Sequence, residues 1–207
     1  MRKRIAVLAS GGGSNLQAIL DYFDSLGDAR SGDVVVVISD KPTAGALDRT
    51  RARGIPAVVS APDKVGDVLE EYDVDIVALA GYLRFVPTEV TRRYRGRMIN
   101  VHPALLPKFG GKGMYGERVH AAVIAAGETE SGPTVHFVDD VYDHGAIIAQ
   151  STVPVYVDDI PHSLAQRVLA EEHKLFPRVL NDLAAGNISL TSGNVVTRHA
   201  SRVTDHA

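Results

Sequence analysis

The sequence predicts an α/β fold with a doubly wound, mostly parallel sheet, a mixed or antiparallel edge and a long C-terminal helix. Apolar runs too continuous for one-sided strands lie at Ile5–Ala9, Val34–Ser39 and Ile76–Ala80. Such runs are typical of parallel strands that are buried on both faces. Between them lie segments in which apolar residues recur with the helical period. This alternation of strand and helix predicts a parallel sheet covered by helices.

The remaining elements of the first half follow the same alternation. Helices are predicted where apolar residues form one stripe, at Asn15–Leu26, Ala44–Arg53, Asp63–Tyr72 and Pro87–Tyr94. Weaker strands are predicted at Ala57–Ser60 and Met98–Val101. These elements continue the doubly wound sheet.

The second half has a different pattern. Two strand-like runs, Gly132–Val138 and Ala146–Val155, flank the loop Asp139–Gly145, and this arrangement predicts a hairpin at a mixed edge of the sheet. A long helix from Pro161 to about Leu183 is expected to cover the sheet. The polar residues 191–207 are expected to form a loosely attached tail.

Composition limits the class of protein. The 207 residues suit one domain, and 22 basic against 25 acidic residues give a net charge of −3, which argues against general binding to nucleic acid. The chain has no cysteine, so disulfides, thiolate zinc sites and a cysteine nucleophile are excluded and a cytoplasmic location is expected. No apolar stretch approaches the roughly 20 residues of a membrane span.

The stretch SGGGSNLQ (Ser10–Gln17) joins the first strand to the first helix. Three consecutive glycines leave the backbone N–H groups at the helix N-terminus uncovered, and the helix dipole favours negative charge there. Ser14 and Asn15 add polar side chains. The loop therefore predicts a phosphate site, with a tight turn that needs a positive φ as the other interpretation.

The same loop is an incomplete dinucleotide fingerprint. Leu16 stands where G-x-G-x-x-G requires its third glycine. Asp40, after the second strand, can be interpreted as a ribose-binding acid, which keeps an NAD-dependent dehydrogenase open as an alternative. A strand-end turn or a helix cap is its other interpretation.

Asn100 and His102 lie one residue apart at the end of a predicted strand, in INVHPALLPK. Alternation places both side chains on one face of that strand. An amide N–H beside a protonated imidazole can gather charge on a carbonyl oxygen, so the pair predicts acyl or formyl transfer. A hydrogen-bonded core histidine beside a turn-forming asparagine is the alternative.

Three carboxylates in the loop DDVYDHG follow a strand that carries His136. A carboxylate is needed to keep His102 charged and to move protons. We favour Asp143 over Asp139 and Asp140, although spacing alone does not rank them. No H-E-x-x-H pair is present, and no metal site is predicted.

Four stretches resemble, in order and spacing, the phosphoribosylglycinamide formyltransferases, a family of folate-dependent formyltransferases: SGGGSNLQAIL, AGYLRFV, INVHPALLPKFGGKGMYG and SGPTVHFVDDVYDHGAIIAQ. The match spans about Arg4 to Ile188. The N-x-H-P-x-L-L-P motif is shared with other folate-dependent formyltransferases and with formyltetrahydrofolate deformylase, which stay open as alternatives. The serine–glycine–asparagine loop favours the first family.

The resemblance implies a Rossmann-like formyltransferase domain over residues 1–190, with a phosphate-binding half, about 1–97, and a folate-binding and catalytic half, about 98–190. It implies transfer of the formyl group of 10-formyltetrahydrofolate to the amine of 5′-phosphoribosylglycinamide in purine biosynthesis, without a metal. Small-molecule substrates, no nucleic-acid or membrane partner, and a monomer or homodimer are also expected. A non-catalytic module that binds a phosphoribosyl ligand is a further alternative.

The resemblance also implies roles for single residues of this sequence. The acceptor substrate would be bound by Gly11, Gly12, Gly13, Ser14, Asn15 and Glu172. Folate would be bound by Lys64, Leu83, Arg84, Phe85, Val86, Asn100, Asp139, Asp140 and Asp143. The catalytic residues would be Asn100 and protonated His102, which stabilise an oxyanion, and Asp143, which keeps the imidazolium charged and relays protons.

One stretch departs from the family pattern. FGGKGMYGERVH (Phe109–His120) is longer than the corresponding connection in several family members, and its role is open. His120 is expected to begin the following helix without a chemical duty.

Overall fold

The computed structural model of the protein describes residues 1–198. Its strands are, in chain order, Lys3–Leu8 (β1), Gly32–Ser39 (β2), Ala57–Val59 (β3), Ile76–Leu79 (β4), Met98–His102 (β5), Glu130–Ser131 (β6), Thr134–Phe137 (β7), Ile147–Gln150 (β8), Val153–Pro154 (β9), Ile188–Thr191 (β10) and Asn194–Thr197 (β11). Its α-helices are Ser14–Leu26 (α1), Gly45–Ala52 (α2), Val65–Glu71 (α3), Thr88–Arg93 (α4), Glu117–Ala125 (α5) and Pro161–Ala185 (α6).

The central sheet has seven strands in the order β3-β2-β1-β4-β5-β7-β8. The first five are parallel, whereas β7 pairs antiparallel with β5 and with β8. The predicted doubly wound sheet with a mixed edge is therefore confirmed. The chain builds the sheet from β1 through β2 to β3 in one direction and then continues with β4 and β5 on the other side of β1. Ligands of such sheets bind at this switch point, outside the carboxyl ends of β1 and β4.

Helices cover both faces of the sheet. On one face Leu16 of α1 and Phe176 of α6 lie in the core cluster with residues of β1, β4 and β5. On the other face Leu69 of α3 and Val90 of α4 pack on the opposite side chains of the same strands. Full burial on both faces explains why β1 and β4 are read in the sequence as continuous apolar runs.

The second half is more broken than predicted. The run expected as one strand over Gly132–Val138 contains only β7, and the run Ala146–Val155 is divided into β8 and β9. The strands β6 and β9 pair with each other in a separate two-stranded sheet. Gly132 has φ 147°, and a Cβ there would overlap the carbonyl oxygen of Ser151. Two backbones therefore approach closely at this point, which lies between β6 and β7 in one segment and between β8 and β9 in the other.

The segment after α6 is a hairpin, so the prediction of a loosely attached tail is wrong for its first part. Residues Ile188–Thr191 pair antiparallel with Asn194–Thr197, and Leu190 and Val195 pack against the core. Residues 199–207, also predicted as tail, lie outside the described residues. The division of residues 1–190 into two functional halves stays a prediction.

The long helix α6 begins at the predicted Pro161 and ends at Ala185, before Gly186 in the left-handed conformation. Its buried side chains pack against α1, α5 and the sheet. The helix α5 begins at Glu117 rather than at His120. Within residues 1–198 no helix has the length and apolar character needed to cross a membrane.

Candidate active site

A cavity of about 570 Å³ opens at the carboxyl ends of β4 and β5. Its walls come from elements that are far apart in the chain, which are the start of α1, the loop after β4, the end of β5, the glycine-rich segment before α5, the loop after β7 and α6. Asn100, His102 and Asp143 all line it, and so do Asn15 and Glu172. The structure thus brings together residues from both predicted functional halves.

The glycine loop leads from β1 into α1 as predicted. Gly13 is the N-cap of α1 and has φ 77°, and a Cβ there would lie 2.7 Å from the Cα of Ala46. Only glycine fits this position without strain. Gly11 and Gly12 are exposed, and a Cβ on either would meet nothing within 4 Å. Their carbonyls accept hydrogen bonds from the N–H of Ala46 and from Arg49, so it is their N–H groups that are open to a ligand.

Arg49 of α2 also lies at this loop. Its Nε donates to the carbonyl of Gly12 at 2.8 Å, and its Nη1 donates to Gln17 at 3.3 Å. Together with Ser14 and His173 it lines a shallow depression beside the helix N-terminus. The guanidinium adds positive charge where the helix dipole already favours an anion. Nothing in the spacing of ALDRTR indicated this contact.

Asn15 and Glu172 form a buried pair across the interior, although 157 residues separate them. The amide Nδ2 of Asn15 donates to Oε2 of Glu172 at 2.5 Å, and the two residues are 8 % and 6 % exposed. Burial raises the pKa of Glu172 to about 7, although the bond from Asn15 opposes the rise. Within residues 1–198 the Oδ1 atom of Asn15 is buried without a partner, so a ligand donor would complete this pair.

Asn100 is oriented by His136, a strand residue to which the sequence assigned no role. His136 lies opposite Asn100 in the pairing of β5 with β7, and its Nδ1 donates to the carbonyl of Phe137 at 2.8 Å. Because an amide nitrogen can only donate, the Nε2 of His136 is the acceptor of its bond with Asn100. It receives the amide Nδ2 of Asn100 at 3.0 Å, and a weaker bond of 3.4 Å runs from the same Nδ2 to Asp143.

His102 is buried at the end of β5. Its Nε2 donates to the carbonyl of Phe109 at 2.9 Å, and its Nδ1 lies 3.5 Å from Oδ2 of Asp143. Burial lowers the pKa of His102 below its ordinary 6.5, although the Asp143 carboxylate and the Phe109 carbonyl act against it. Burial thus favours the neutral ring, whereas the oxygen atom that faces each ring nitrogen favours the protonated ring. The protonated His102 of the sequence analysis stays a prediction.

Asp143 lies within reach of both other predicted catalytic residues. Burial raises the pKa of its carboxyl, but the neighbouring rings of His136 and His102 and the N–H of Gly111 outweigh this and lower the pKa. The Gly111 N–H donates to Oδ2 at 2.9 Å. Asp143 has φ 53°, a left-handed conformation that aspartate and asparagine tolerate better than most residues. The carboxylate is therefore ionised and fixed by its own loop and by the glycine-rich segment.

Both predicted oxyanion donors are already engaged. The two amide hydrogens of Asn100 point to His136 and Asp143, and the ring N–H of His102 points to Phe109. The 3.4 Å bond from Asn100 to Asp143 is the weakest of these. A developing oxyanion would therefore compete first for this amide hydrogen.

The loop after β4 forms the mouth of the cavity. Leu83, Arg84, Phe85 and Val86 all line it, with Val86 buried and Leu83 and Phe85 exposed, and their predicted binding of folate stays a prediction. The ring of Phe85 meets Tyr142 edge to face at 5.2 Å between centroids. The loop after β4 and the loop after β7 thus meet across an aromatic contact at the mouth of the cavity.

The other two aspartates of the DDVYDHG loop are placed differently. Asp139 lines the cavity and accepts the N–H of Val141 at 2.9 Å. Asp140 is not part of the lining, because it accepts hydrogen bonds from Thr91 at 2.6 Å and Arg92 at 3.0 Å on α4. Asp140 therefore anchors the loop, and its predicted contact with folate would require a different position.

Lys64 is not brought into the site. It lies in the turn before α3, pairs with Asp67 at 3.4 Å on the surface and does not line the cavity. His120, expected to have no duty, is 4 % exposed, lines the cavity and has a buried Nδ1 without a partner within residues 1–198. The sequence signal that could have found it is its spacing of three residues from Val123, which is buried on the same side of α5.

Asp40 is not available to a nucleotide ribose. Its side chain is 2 % exposed and accepts hydrogen bonds from Ser10 and Arg84. The interpretation as a ribose-binding acid of a dehydrogenase is therefore not supported, because both carboxylate oxygens are occupied. Among residues 1–198 there is also no group of three or more His, Asp or Glu side chains placed to hold a metal ion.

Comparison with known proteins gives consistent names. A family model described as formyl transferase matches residues 3–180. The chain is 44 % identical, over 90 % of its length and 67 % of the relative, to the chloroplastic phosphoribosylglycinamide formyltransferase of Arabidopsis thaliana. It is 36 % identical to the phosphoribosylglycinamide formyltransferase of Haemophilus influenzae, over 91 % of this chain and 90 % of that protein. A second plant relative, from Vigna unguiculata, is covered over 62 % of its length.

The fold is also shared with solved structures. Glycinamide ribonucleotide transformylase 1 of Symbiobacterium toebii superposes with a TM-score of 0.88 at 36 % identity, over 96 % of this chain and 95 % of that one. The cavity therefore occurs in a fold that other proteins share over almost their whole length.

Proposed function

Because the chain belongs to the formyl transferase family, we propose that it transfers the formyl group of 10-formyltetrahydrofolate to the amine of 5′-phosphoribosylglycinamide in purine biosynthesis. The observation that carries the proposal is the cluster of Asn100, His102 and Asp143 in one cavity with Asn15 and Glu172. Groups suited to formyl chemistry thus lie beside groups suited to a phosphoribosyl ligand.

The acceptor would bind at the start of α1. Its phosphate would accept hydrogen bonds from the backbone between Gly11 and Asn15, since the exposed loop, the helix dipole and Arg49 all favour an anion. The Asn15–Glu172 pair offers an acceptor and a carboxylate to ribose hydroxyls. A protonated Glu172 can also donate, because its pKa is about 7.

The donor would occupy the mouth formed by the loops after β4 and β7. The apolar side chains of Leu83, Phe85 and Val86 and the ring of Tyr142 offer surface to a flat pterin. Polar groups of the surrounding backbone would satisfy its nitrogen and oxygen atoms. The bound donor supplies the formyl carbon that the acceptor amine attacks.

Charge then develops on the formyl oxygen. Asn100 can turn one amide hydrogen from Asp143 to this oxygen, while His136 keeps the other and so keeps the amide oriented. In its neutral form His102 can take a proton at Nδ1, on the side of Asp143. The Asp143 carboxylate stabilises the imidazolium as it forms, and this pair can pass the proton from the acceptor amine to the leaving folate nitrogen.

The test is an assay of the purified protein with 5′-phosphoribosylglycinamide and 10-formyltetrahydrofolate. We expect tetrahydrofolate and the formylated acceptor in equal amounts, with a kcat in the ordinary range of about 1–10³ s⁻¹. Hydrolysis of the donor without the acceptor would instead indicate a deformylase. Binding of both ligands without product would indicate a binding module and would contradict the proposal.

A further inference from the structure

The carboxylate of Asp40 connects three neighbouring strand ends. Its Oδ1 accepts from the hydroxyl of Ser10, after β1, at 2.5 Å, and its Oδ2 accepts from Nε of Arg84, in the loop after β4, at 2.9 Å. The Ser10 hydroxyl in turn accepts the N–H of Leu83 at 2.9 Å. Asp40 therefore fixes the loop after β4 at two points: through Ser10 at the backbone N–H of Leu83, and directly at the side chain of Arg84.

The two partners of this ion pair have unequal exposure. The side chain of Asp40 is 2 % exposed, and that of Arg84 is 60 % exposed. Burial raises the pKa of Asp40, but the bonds from Ser10 and Arg84 outweigh it and lower the pKa, so the carboxylate is ionised. Arg84 uses Nε for this bond, and within residues 1–198 its two terminal nitrogens donate no hydrogen bond.

We propose that Asp40 is a positioning residue that orients the guanidinium of Arg84, so that its two terminal nitrogens receive a carboxylate of the formyl donor. The proposal rests on the proposed function, because it takes its ligand from the folate donor. Arg84 lies at the mouth of the cavity beside Phe85. A donor whose pterin is inside the cavity carries its acidic glutamate end outward, toward this arginine.

The charges and the geometry favour this role. A planar guanidinium binds a carboxylate best through two parallel N–H groups. Holding Nε on a buried carboxylate leaves the terminal pair facing outward and removes much of the rotational freedom of a long exposed side chain. Without Asp40, Arg84 would keep its charge and lose its fixed direction.

The test compares four proteins: the wild type, Asp40→Asn, Arg84→Gln and the double variant. Two donors are used, 10-formyltetrahydrofolate and an analogue in which the glutamate is replaced by methylamine, so that no carboxylate remains. For Asp40→Asn we expect the KM for the natural donor to rise about tenfold, with kcat within twofold, since a hydrogen bond to a charged group is weakened. The analogue should show the same KM in wild type and variant.

The double variant should have the same KM as Arg84→Gln alone, because Asp40 acts through Arg84. Asp48→Asn is the matched control, since Asp48 lies on the surface of α2 with only an exposed pair to Arg51, and it should leave both KM values unchanged. Equal rises in KM for both donors would overturn the inference, because Asp40 would then shape the pterin pocket. An unchanged KM would overturn it as well.

The same assay distinguishes a failure of the proposed function from a failure of this inference. Absence of formyl transfer by the wild type would overturn the proposed function and this inference together. Normal transfer by the wild type with an unshifted KM in Asp40→Asn would overturn the inference alone.

Discussion

The two sides of the cavity are built in different ways. On the acceptor side, Gly13, Asn15 and Glu172 belong to or cap the helices α1 and α6, and Asn15 and Glu172 are buried against each other. On the catalytic side, Phe109 and Asp143 are loop residues with positive φ, and both contact His102. The acceptor side thus includes a contact between two helices, whereas on the catalytic side the strand residue His102 is held by two loops.

This difference indicates on which side of the cavity a substrate must replace hydrogen bonds that the protein already makes. On the acceptor side the glycine loop is exposed, and within residues 1–198 the Oδ1 atom of Asn15 is buried without a hydrogen-bond partner. On the catalytic side the donors of Asn100 and His102 are bound within the protein. We expect substitutions on the catalytic side to change kcat, and those on the acceptor side to change stability and KM.

The largest effect is expected for Asp143→Asn. Asparagine also tolerates the left-handed backbone and can still accept from Gly111, so the fold should be retained. The loss of the carboxylate removes the charge that stabilises a protonated His102, and kcat should fall about 10³-fold. Steady-state kinetics at saturating substrates, with thermal unfolding as the folding control, would measure this. Full turnover by a folded variant would exclude Asp143 from proton transfer.

Glu172→Gln should stabilise the protein at high pH. The pKa of Glu172 is about 7 when folded against 4.5 ordinarily. The folded state therefore retains the proton between pH 4.5 and 7 after the unfolded chain has lost it, and stability falls over that range. The cost, up to about 3 kcal/mol, is fully present above pH 7. Glutamine avoids this cost, so denaturant unfolding should show a difference at pH 8 that disappears near pH 4.5.

Glu171→Gln is the matched control for that experiment. Glu171 is the neighbouring carboxylate, but hydrogen bonds from Lys174 and Ser151 lower its pKa. Its replacement should therefore reduce stability above pH 4.5, opposite in sign to the effect at Glu172. The same sign in both variants would contradict the assignment of a raised pKa to Glu172.

Asn100→Ala tests the catalytic side through a neutral group. Removal of one oxyanion donor costs about 10²-fold in kcat, and both KM values should change little because the oxyanion forms only beyond the ground state. Separate kcat and KM values for each substrate would be measured. A rise in KM at constant kcat would show that Asn100 binds the substrate instead.

The parts of the molecule that the sequence predicts are those that depend on local periodicity. Continuous apolar runs identified β1, β2 and β4, because burial on both faces leaves no polar positions. Asn100 and His102 were placed on one face, because strand alternation has a period of two. Both line the cavity.

The parts that could not be predicted depend on contacts between distant segments. The bond between Asn15 and Glu172 joins α1 to α6, and no local pattern records it. Spacing did not rank the three loop aspartates, because their roles depend on α4 for Asp140 and on β5 for Asp143. The hairpin β10–β11 was missed because its apolar side chains are few and rest on a core built by other elements.

The smallest effects are expected in the glycine loop, where adjacent positions separate strain from binding. Gly13→Ala forces alanine into φ 77° beside Ala46 and should destabilise the protein by about 1–3 kcal/mol. Gly12→Ala meets no atom within 4 Å, so stability should change by less than about 0.5 kcal/mol.

The methyl group of Gly12→Ala nevertheless enters the space in which the acceptor phosphate would lie. The KM for the acceptor should therefore rise, by about tenfold if one hydrogen bond to the charged phosphate is lost, while the KM for the donor stays constant. Because the variant is unstrained, a change in the acceptor KM alone reports on occupancy of this loop. An unchanged acceptor KM would mean that the phosphate lies elsewhere, and the depression beside Arg49 and His173 would then be the next place to test.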